Sequence, residues 1–365
     1  MTSDATIDLG PNSLVGSYRL VKEIGRGGMG VVYQAEHIVL PRRAAIKVMH
    51  ATLRRLPGMA TRMVQEAAIL ERLRHPGVVK VHECNLLPDL RPWIAMELVA
   101  GETLAGRLAN AATLSPLDVA RLLVDVADVL AAVHARGVVH RDLKPDNLIL
   151  TPGDAGYPLR VIDWGVARLG PIGRITLDGM TPGTPIYMSP EQAAGHHIAA
   201  PCDIYSLGVI AYEALAGHPP FDGRTLAEVV CMHVTSEAAP LADKTCAPIA
   251  LCGLVHHMLD KDPSLRPSAL EVRQLAQAVI YELSDVYESL EISGVVARPR
   301  TSSEILEFGV TELVPTRRPR WTPEIAAVPA ALVEPPARLR PITPKGLRDQ
   351  VSGEIVAGPR AGARS

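Results

Sequence analysis

Between residues 18 and 50 apolar and polar side chains alternate in short runs broken by glycine: YRLVKEIG, GVVYQAEHI and RAAIKVMH. Alternation with a period of two, rich in β-branched residues, predicts strands of an antiparallel sheet. Residues 59 to 73, MATRMVQEAAILERL, change the period. Met63, Ala67, Leu70 and Leu73 recur at helical spacing and predict one amphipathic helix. VVKVHEC and WIAMELV return to strand character, so the first hundred residues read as a sheet plus one helix. After GETL the chain turns rich in Ala and Leu. SPLDVARLLVDVADVLAAVHARG opens with Ser115 as N-cap and Pro116 at the first helical position, and stops at Gly137. A larger, mostly helical lobe follows to about residue 284. From 291 to 365 proline and arginine abound and neither period persists, which predicts a disordered or polyproline-like tail. No internal repeat is visible.

Composition narrows this picture only a little. A chain of 365 residues with 47% hydrophobic and 21% charged residues reads as globular, with room for one large or two ordinary domains. A formal net charge of -2 gives no general argument for nucleic acid or an anionic membrane as partner. Cys84, Cys202, Cys231, Cys246 and Cys252 form no CxxC pair, and their odd number makes a poor disulfide framework, so reduced thiols in a cytoplasmic protein are expected. MTSDATIDLG lacks the order of a secretory signal, and no apolar window approaches the ~18 residues of a spanning helix.

Candidate chemistry changes the picture more. IGRGGMGVV fits G-x-G-x-x-G-x-V through Gly25, Gly27, Gly30 and Val32, and a loop without Cβ atoms lets backbone N–H groups approach phosphate oxygens. Alone, it is equally a hairpin turn; a strand follows it here, whereas the dinucleotide fingerprint wants a helix. In AAIKV, Lys47 stands inside an apolar strand, where burial is costly unless anions meet it; a half-exposed strand is the plainer explanation. Glu66 lies among Met63, Ala67 and Leu70, on the side facing the sheet, and an ion pair with Lys47 would satisfy both; the plain alternative is one more carboxylate on a helix surface. VVHRDLKPDNLIL then sets Asp142 and Asn147 five apart in one loop, and RVIDWG delivers Asp163 at a strand end. Asn147 and Asp163 are hard oxygen donors that suit Mg²⁺ shared with phosphates. Asp142 is placed to accept a proton from, or orient, an attacking hydroxyl, while Lys144 steadies a transferring phosphoryl group.

The ordered set of glycine loop, AIK, HRDLKPDN, D-x-G, GTPIYMSPEQ and DIYSLG, spread over about residues 16 to 284, resembles the bacterial eukaryotic-like (Hanks-type) protein Ser/Thr kinases. The resemblance implies an α+β, two-lobed protein-kinase fold: an N-terminal extension (1–15), a small β-rich N-lobe with one main helix (about 16–96), a hinge (97–99), a larger helical C-lobe (about 100–284) and a tail (285–365). It implies ATP and Mg²⁺ (or Mn²⁺) as cofactors, proteins with Ser/Thr acceptors as substrates, no nucleic acid, and dimerisation for trans-autophosphorylation as an open option. Ile24, Gly25, Gly27, Gly28, Gly30 and Val32 would cover the nucleotide. Val32, Ala45 and Ile149 would sandwich adenine, with Met96 behind it and the backbone of Glu97, Leu98 and Val99 reading its edge. Lys47, paired with Glu66, would hold the α and β phosphates. Asp142 would be the catalytic base, Asn147 and Asp163 the metal ligands, and Lys144 would favour Ser/Thr over Tyr acceptors. Asp203 would anchor the catalytic loop, and Glu191 would pair with Arg266. Arg141 would wait for a phosphorylated loop residue; relatives often carry threonines eight and six positions before the site of Thr184, which here are Thr176 and an acid, Asp178. Thr176 is therefore the main autophosphorylation site expected and Thr181 a secondary one, with Asp178 a standing charge or a simple Asp-Gly turn.

Two departures from the pattern stand out. Trp164 replaces the usual Phe of DFG, where the ring packs against the glutamate-bearing helix and His140, and SPE replaces APE with the carboxylate kept. A pseudokinase scaffold is the first rival reading; such chains usually lose one of the Lys, Asp or Asn groups, and all four of Lys47, Asp142, Asn147 and Asp163 are present here. A small-molecule kinase, the second, is disfavoured by GTPIYMSPEQ and by Lys144.

Overall fold

The computed structural model describes residues 7–56, 58–153, 156–164 and 184–292. Thr176, Asp178 and Thr181 lie outside the described residues, as does everything from residue 293 onward. Six antiparallel strands make the first sheet: β1 (Leu14–Val15), β2 (Tyr18–Arg26), β3 (Gly30–His37), β4 (Arg43–Met49), β5 (Val81–Leu86) and β6 (Pro92–Glu97), in the order β1-β2-β3-β4-β6-β5. Alternation along β4 decides what each face carries. Ala44, Ile46 and Val48 join Tyr18, Leu20, Tyr33 and Trp93 in one apolar layer. Ala45 and Met49 join Met63, Ala67, Ile94 and Met96 in the layer on the other face. Lys47 shares the pleat of Ala45 and Met49, so the two-residue period aims it at the second layer.

Helix α1 (Met59–Arg72) covers that second layer. Met63, Glu66, Ala67 and Leu70 are its buried residues, a stripe at helical spacing with one carboxylate in it. The predicted strand over VVKVHEC starts later, at Val81. Val78 is buried before it and bridges in parallel to Val161, and Val161 N–H donates to Gly77 O at 2.8 Å, so this stretch is drawn toward the second lobe. At the N-terminus the described part of residues 1–15 packs on the sheet. Ile7 and Leu9 pack on the first apolar layer, and Ile7 N–H donates to Asp89 at 3.1 Å.

The second lobe is helical around one core. α3 (Pro116–His134) begins as its sequence dictates: the Ser115 hydroxyl accepts Asp118 N–H at 3.1 Å, and Pro116 occupies N1, where its missing N–H costs nothing. Gly137, at φ +71°, closes its C-terminal turn. The helix α5 (Pro201–Ala216) is buried on nearly all sides, while α2 (Leu104–Ala111), α4 (Pro190–Ala193), α6 (Leu226–Thr235), α7 (Ile249–Met258) and α8 (Ala269–Ile292) complete the lobe. α8 runs eight residues past the boundary that the loss of pattern suggested. A small sheet of β7 (Glu102–Thr103), β8 (Leu148–Leu150) and β9 (Leu159–Val161) carries the loops that matter next.

Candidate active site

Between β2 and β3 the chain turns over Gly27, Gly28 and Met29. Gly27 N–H donates to Gly30 O at 3.0 Å. A Cβ at Gly27 would meet nothing within 4 Å, so the tip is open to a ligand. A Cβ at Gly30 would lie 2.2 Å from Val48 O, so that glycine is required by the close approach of β4. The tip is also tied from below by a residue the sequence reading missed: His50 Nε2 donates to Gly27 O at 2.7 Å, and His50 N–H donates to Met29 O at 3.0 Å. The only cue was its place three residues after Lys47.

Behind the glycine turn, Val32, Ala45, Met96, Leu98 and Val99 share one apolar cluster, with Val32 opposite Lys47 and Ala45 opposite Met96 in the sheet register. Ile149 is half-buried on β8, Ile24 is 45% exposed on β2, and Gly25 pairs with Val32. The Glu97 side chain turns away to Arg160, 3.5 Å distant, which leaves backbone to face this cleft.

Lys47, Glu66 and Asp163 meet. Lys47 Nζ lies 3.2 Å from Glu66 Oε1 and 3.1 Å from Asp163 Oδ1. Burial works against the Lys47 charge, yet the two carboxylates outweigh it and hold its pKa above the ordinary lysine value. Lys47 in turn keeps the Asp163 carboxyl below the usual range, whereas burial pushes Glu66 up. Asp163 adopts φ +52°, a left-handed conformation uncommon outside glycine.

The second group is Asp142, Lys144 and Asn147. Lys144 Nζ stands 3.8 Å from Asp142 Oδ2, and Asn147 Nδ2 donates to Asp142 O at 2.8 Å. That bond fixes the Asn147 amide and leaves its carbonyl oxygen as the acceptor for a cation. Together with the ionised Asp163 carboxylate, whose side chain is 44% exposed, it is a donor pair that fits Mg²⁺ or Mn²⁺ sharing oxygens with phosphates.

His140 joins the two groups. Its Nε2–H donates to Ile162 O at 3.1 Å and its Nδ1 accepts Asp142 N–H at 3.3 Å, while burial lowers its pKa and keeps it neutral. Trp164 is buried beside it, ring centroids 4.8 Å apart, in the core cluster that also holds Leu70. The Trp164 indole N–H donates to Val161 O at 3.3 Å.

Asp203 supports the loop from α5. It accepts His140 N–H and Arg141 N–H at 2.8 Å each, and His134 Nε2 at 2.8 Å. Burial raises its pKa, but the His134 bond and charge and the backbone donor outweigh that and hold it low. His134 and Gln192, which donates to Arg141 O at 2.8 Å, were given no role in the sequence reading; each contact joins residues more than fifty apart, beyond any local signal. Glu191 and Arg266 form a buried bidentate pair at 2.7 and 2.9 Å.

Comparison with known proteins agrees with this geometry. The protein kinase domain model matches residues 18–276. The chain is 38% identical over 305 residues to the Myxococcus xanthus serine/threonine-protein kinase pkn2, covering 80% of this chain and 36% of that one. It is 32% identical over 343 residues to PknE of Mycobacterium bovis, covering 91% and 59%. The crystal structure of the Mycobacterium tuberculosis PknI kinase domain superposes with a TM-score of 0.59 at 26% identity, over 74% of this chain and all of that one. This chain thus spans only about a third to three fifths of the length of the two curated relatives. With the matched domain, the two-lobed fold and the ordered motifs in place, the chain belongs to the protein kinase family, in its bacterial Hanks-type Ser/Thr branch.

Proposed function

We propose that the protein transfers the γ-phosphoryl group of ATP to Ser and Thr hydroxyls of proteins. The observation that carries this reading is the meeting of Lys47 with both Glu66 and Asp163 across the cleft, at 3.2 and 3.1 Å. A lysine held protonated by two carboxylates, beneath an open glycine turn, suits the α and β phosphates of a nucleotide whose adenine lies against Val32, Ala45, Met96 and Ile149. Glu97 and Val99 would read the adenine edge by backbone, and Ile24, Gly25, Gly27, Gly28 and Gly30 would cover the phosphates. Asn147 and Asp163 would hold Mg²⁺ or Mn²⁺, which would supply neutralisation of the phosphate charge. Asp142 would accept or orient the acceptor hydroxyl, and Lys144 beside it would steady the moving phosphoryl group.

Regulation follows the same reading. Arg141 is proposed to receive a phosphate on Thr176, with Thr181 secondary and Asp178 a standing charge. The five cysteines are free, which fits the reducing cytoplasm proposed as its location. Among the described residues no helix is long and apolar enough to cross a membrane.

The reading is tested by incubating the full chain with γ-labelled ATP, Mg²⁺ or Mn²⁺ and myelin basic protein, followed by phosphoamino-acid analysis. Phosphoserine and phosphothreonine that depend on the metal are expected. Label on tyrosine alone, or on none of the protein, would overturn it.

A further inference from the structure

Gln192 follows Ser-Pro-Glu at the third position of α4 and uses both ends of its amide. Oε1 accepts Ser189 N–H at 3.1 Å, and the Ser189 hydroxyl accepts Gln192 N–H at 3.4 Å, a reciprocal capping box. Nε2 donates to Arg141 O at 2.8 Å. Flipping the amide would set oxygen against oxygen and N–H against N–H, so the network fixes its orientation.

The cap alone does not call for glutamine. Glutamate serves the same position in capping boxes and sits well with the helix dipole. What glutamate lacks is a donor, and the extra donor here reaches 51 residues back to the catalytic loop. It lands on Arg141, which holds φ +67° and immediately precedes Asp142. Arg141 is thereby clamped at both ends: its N–H by Asp203 at 2.8 Å and its C=O by Gln192 at 2.8 Å. The second clamp sets the plane of the peptide that carries Asp142. Gln192 and Asp142 also line one small recess with Tyr187 and Met188, from the segment between the activation-loop threonines and α4. Ser206 ties that segment down by donating to Tyr187 O at 2.7 Å.

We infer that Gln192 is a positioning residue for phosphoryl transfer: acting through the Arg141 carbonyl, it locks the loop bearing Asp142 to α4, beside the recess that Tyr187 and Met188 line. The inference rests on the assignment of Asp142 as the base. A base displaced by a fraction of an ångström from the acceptor hydroxyl lowers turnover, while nucleotide affinity, set across the cleft, stays.

Gln192→Glu keeps the cap and removes the donor. In the full chain, with ATP, Mg²⁺ and myelin basic protein, it is expected to lower kcat by about tenfold or more with KM for ATP unchanged, and to lower the melting temperature by no more than about 5 °C, because a carboxylate oxygen then faces the Arg141 carbonyl. Gln192→Met, uncharged, should lower the same kcat plateau, which separates lost positioning from an added charge that would only move the acid limb of the pH profile. Amide hydrogen exchange across residues 140–143 should quicken in Gln192→Glu. Wild-type kcat in Gln192→Glu, or unchanged exchange at that loop, would overturn the inference. So would a shifted acid limb with an unchanged plateau. If wild-type protein transferred no phosphate, quickened exchange would still support the clamp, and only the function assigned to Asp142 would fall.

Discussion

The carboxylate of Asp203 accepts the backbone N–H of Arg141 at 2.8 Å, and Arg141 holds a left-handed φ of +67°. A residue with a Cβ stays in that region only when its surroundings over-determine it. Asp203 does so with three nitrogen donors at once, since His140 N–H and His134 Nε2 share its other oxygen. Asp203→Ala would leave these buried donors unmatched, and a loss of about 3–5 kcal/mol is expected in urea unfolding. Asp203→Asn keeps one acceptor oxygen and should lose less. Unfolding of the alanine variant within about 1 kcal/mol of wild type would show that the loop is held by something else.

Trp164 is fully buried against His140 and reaches Val161 O with its indole N–H. Truncation to Ala empties a large core site next to Asp163, so a loss of about 3–5 kcal/mol is expected, with reduced phosphoryl transfer. Trp164→Phe should lose less of both. Unchanged turnover and an unchanged melting temperature in Trp164→Ala would remove the packing argument.

His50 holds the glycine turn through one short bond to Gly27 O. His50→Ala is expected to raise KM for ATP about fivefold, the equivalent of one net hydrogen bond of about 1 kcal/mol, with little change in kcat. His50→Gln, which restores a donor, should recover part of it. Equal KM values in all three proteins would dissociate the contact from nucleotide binding.

The lobes and most of the site were legible because their signals are local. The alternation along β4 already placed Lys47 opposite the helix stripe that holds Glu66, and the loop HRDLKPDN carries Asp142, Lys144 and Asn147 within six residues. His134, His50 and Gln192 were not legible. The contact that matters in each joins it to a backbone carbonyl or a carboxylate across a tertiary gap, and nothing in the residues beside them marks that partner. Strand β5 was mistimed for the same reason: Val78 and Val79 have strand composition, but Val78 is recruited by Val161, eighty-odd residues away. The continuation of α8 to Ile292 was missed although Leu283, Tyr287 and Leu290 keep the helical spacing of Val279 and Ile280, because the onset of the Pro/Arg-rich composition just beyond drew the boundary too early.

Acid sensitivity should be traceable to His233. It is buried, bonds the Tyr205 hydroxyl at 3.0 Å and lies near Phe221 and the Lys261 ammonium. Burial first, then Lys261, lowers its pKa to about 4 from an ordinary 6.5. The folded-state pKa is depressed, so the unfolded chain binds the extra proton, and stability present above pH 6.5 is lost as pH falls toward 4. The loss is on the order of 3 kcal/mol for this group. In urea unfolding between pH 7 and 4, His233→Asn should flatten that part of the curve. An identical slope in variant and wild type would assign the acid loss to other groups.

The most direct measurement is kcat for phosphoryl transfer from labelled ATP to myelin basic protein by the wild-type chain and by Asp142→Asn. Both should fold with the same melting temperature and bind ATP alike, because Asp142 is assigned to the acceptor hydroxyl and not to the nucleotide. The account predicts transfer in the wild type and a drop of roughly 10²-fold or more in Asp142→Asn. Equal rates in the two proteins, or no metal-dependent transfer by the wild type, would contradict it.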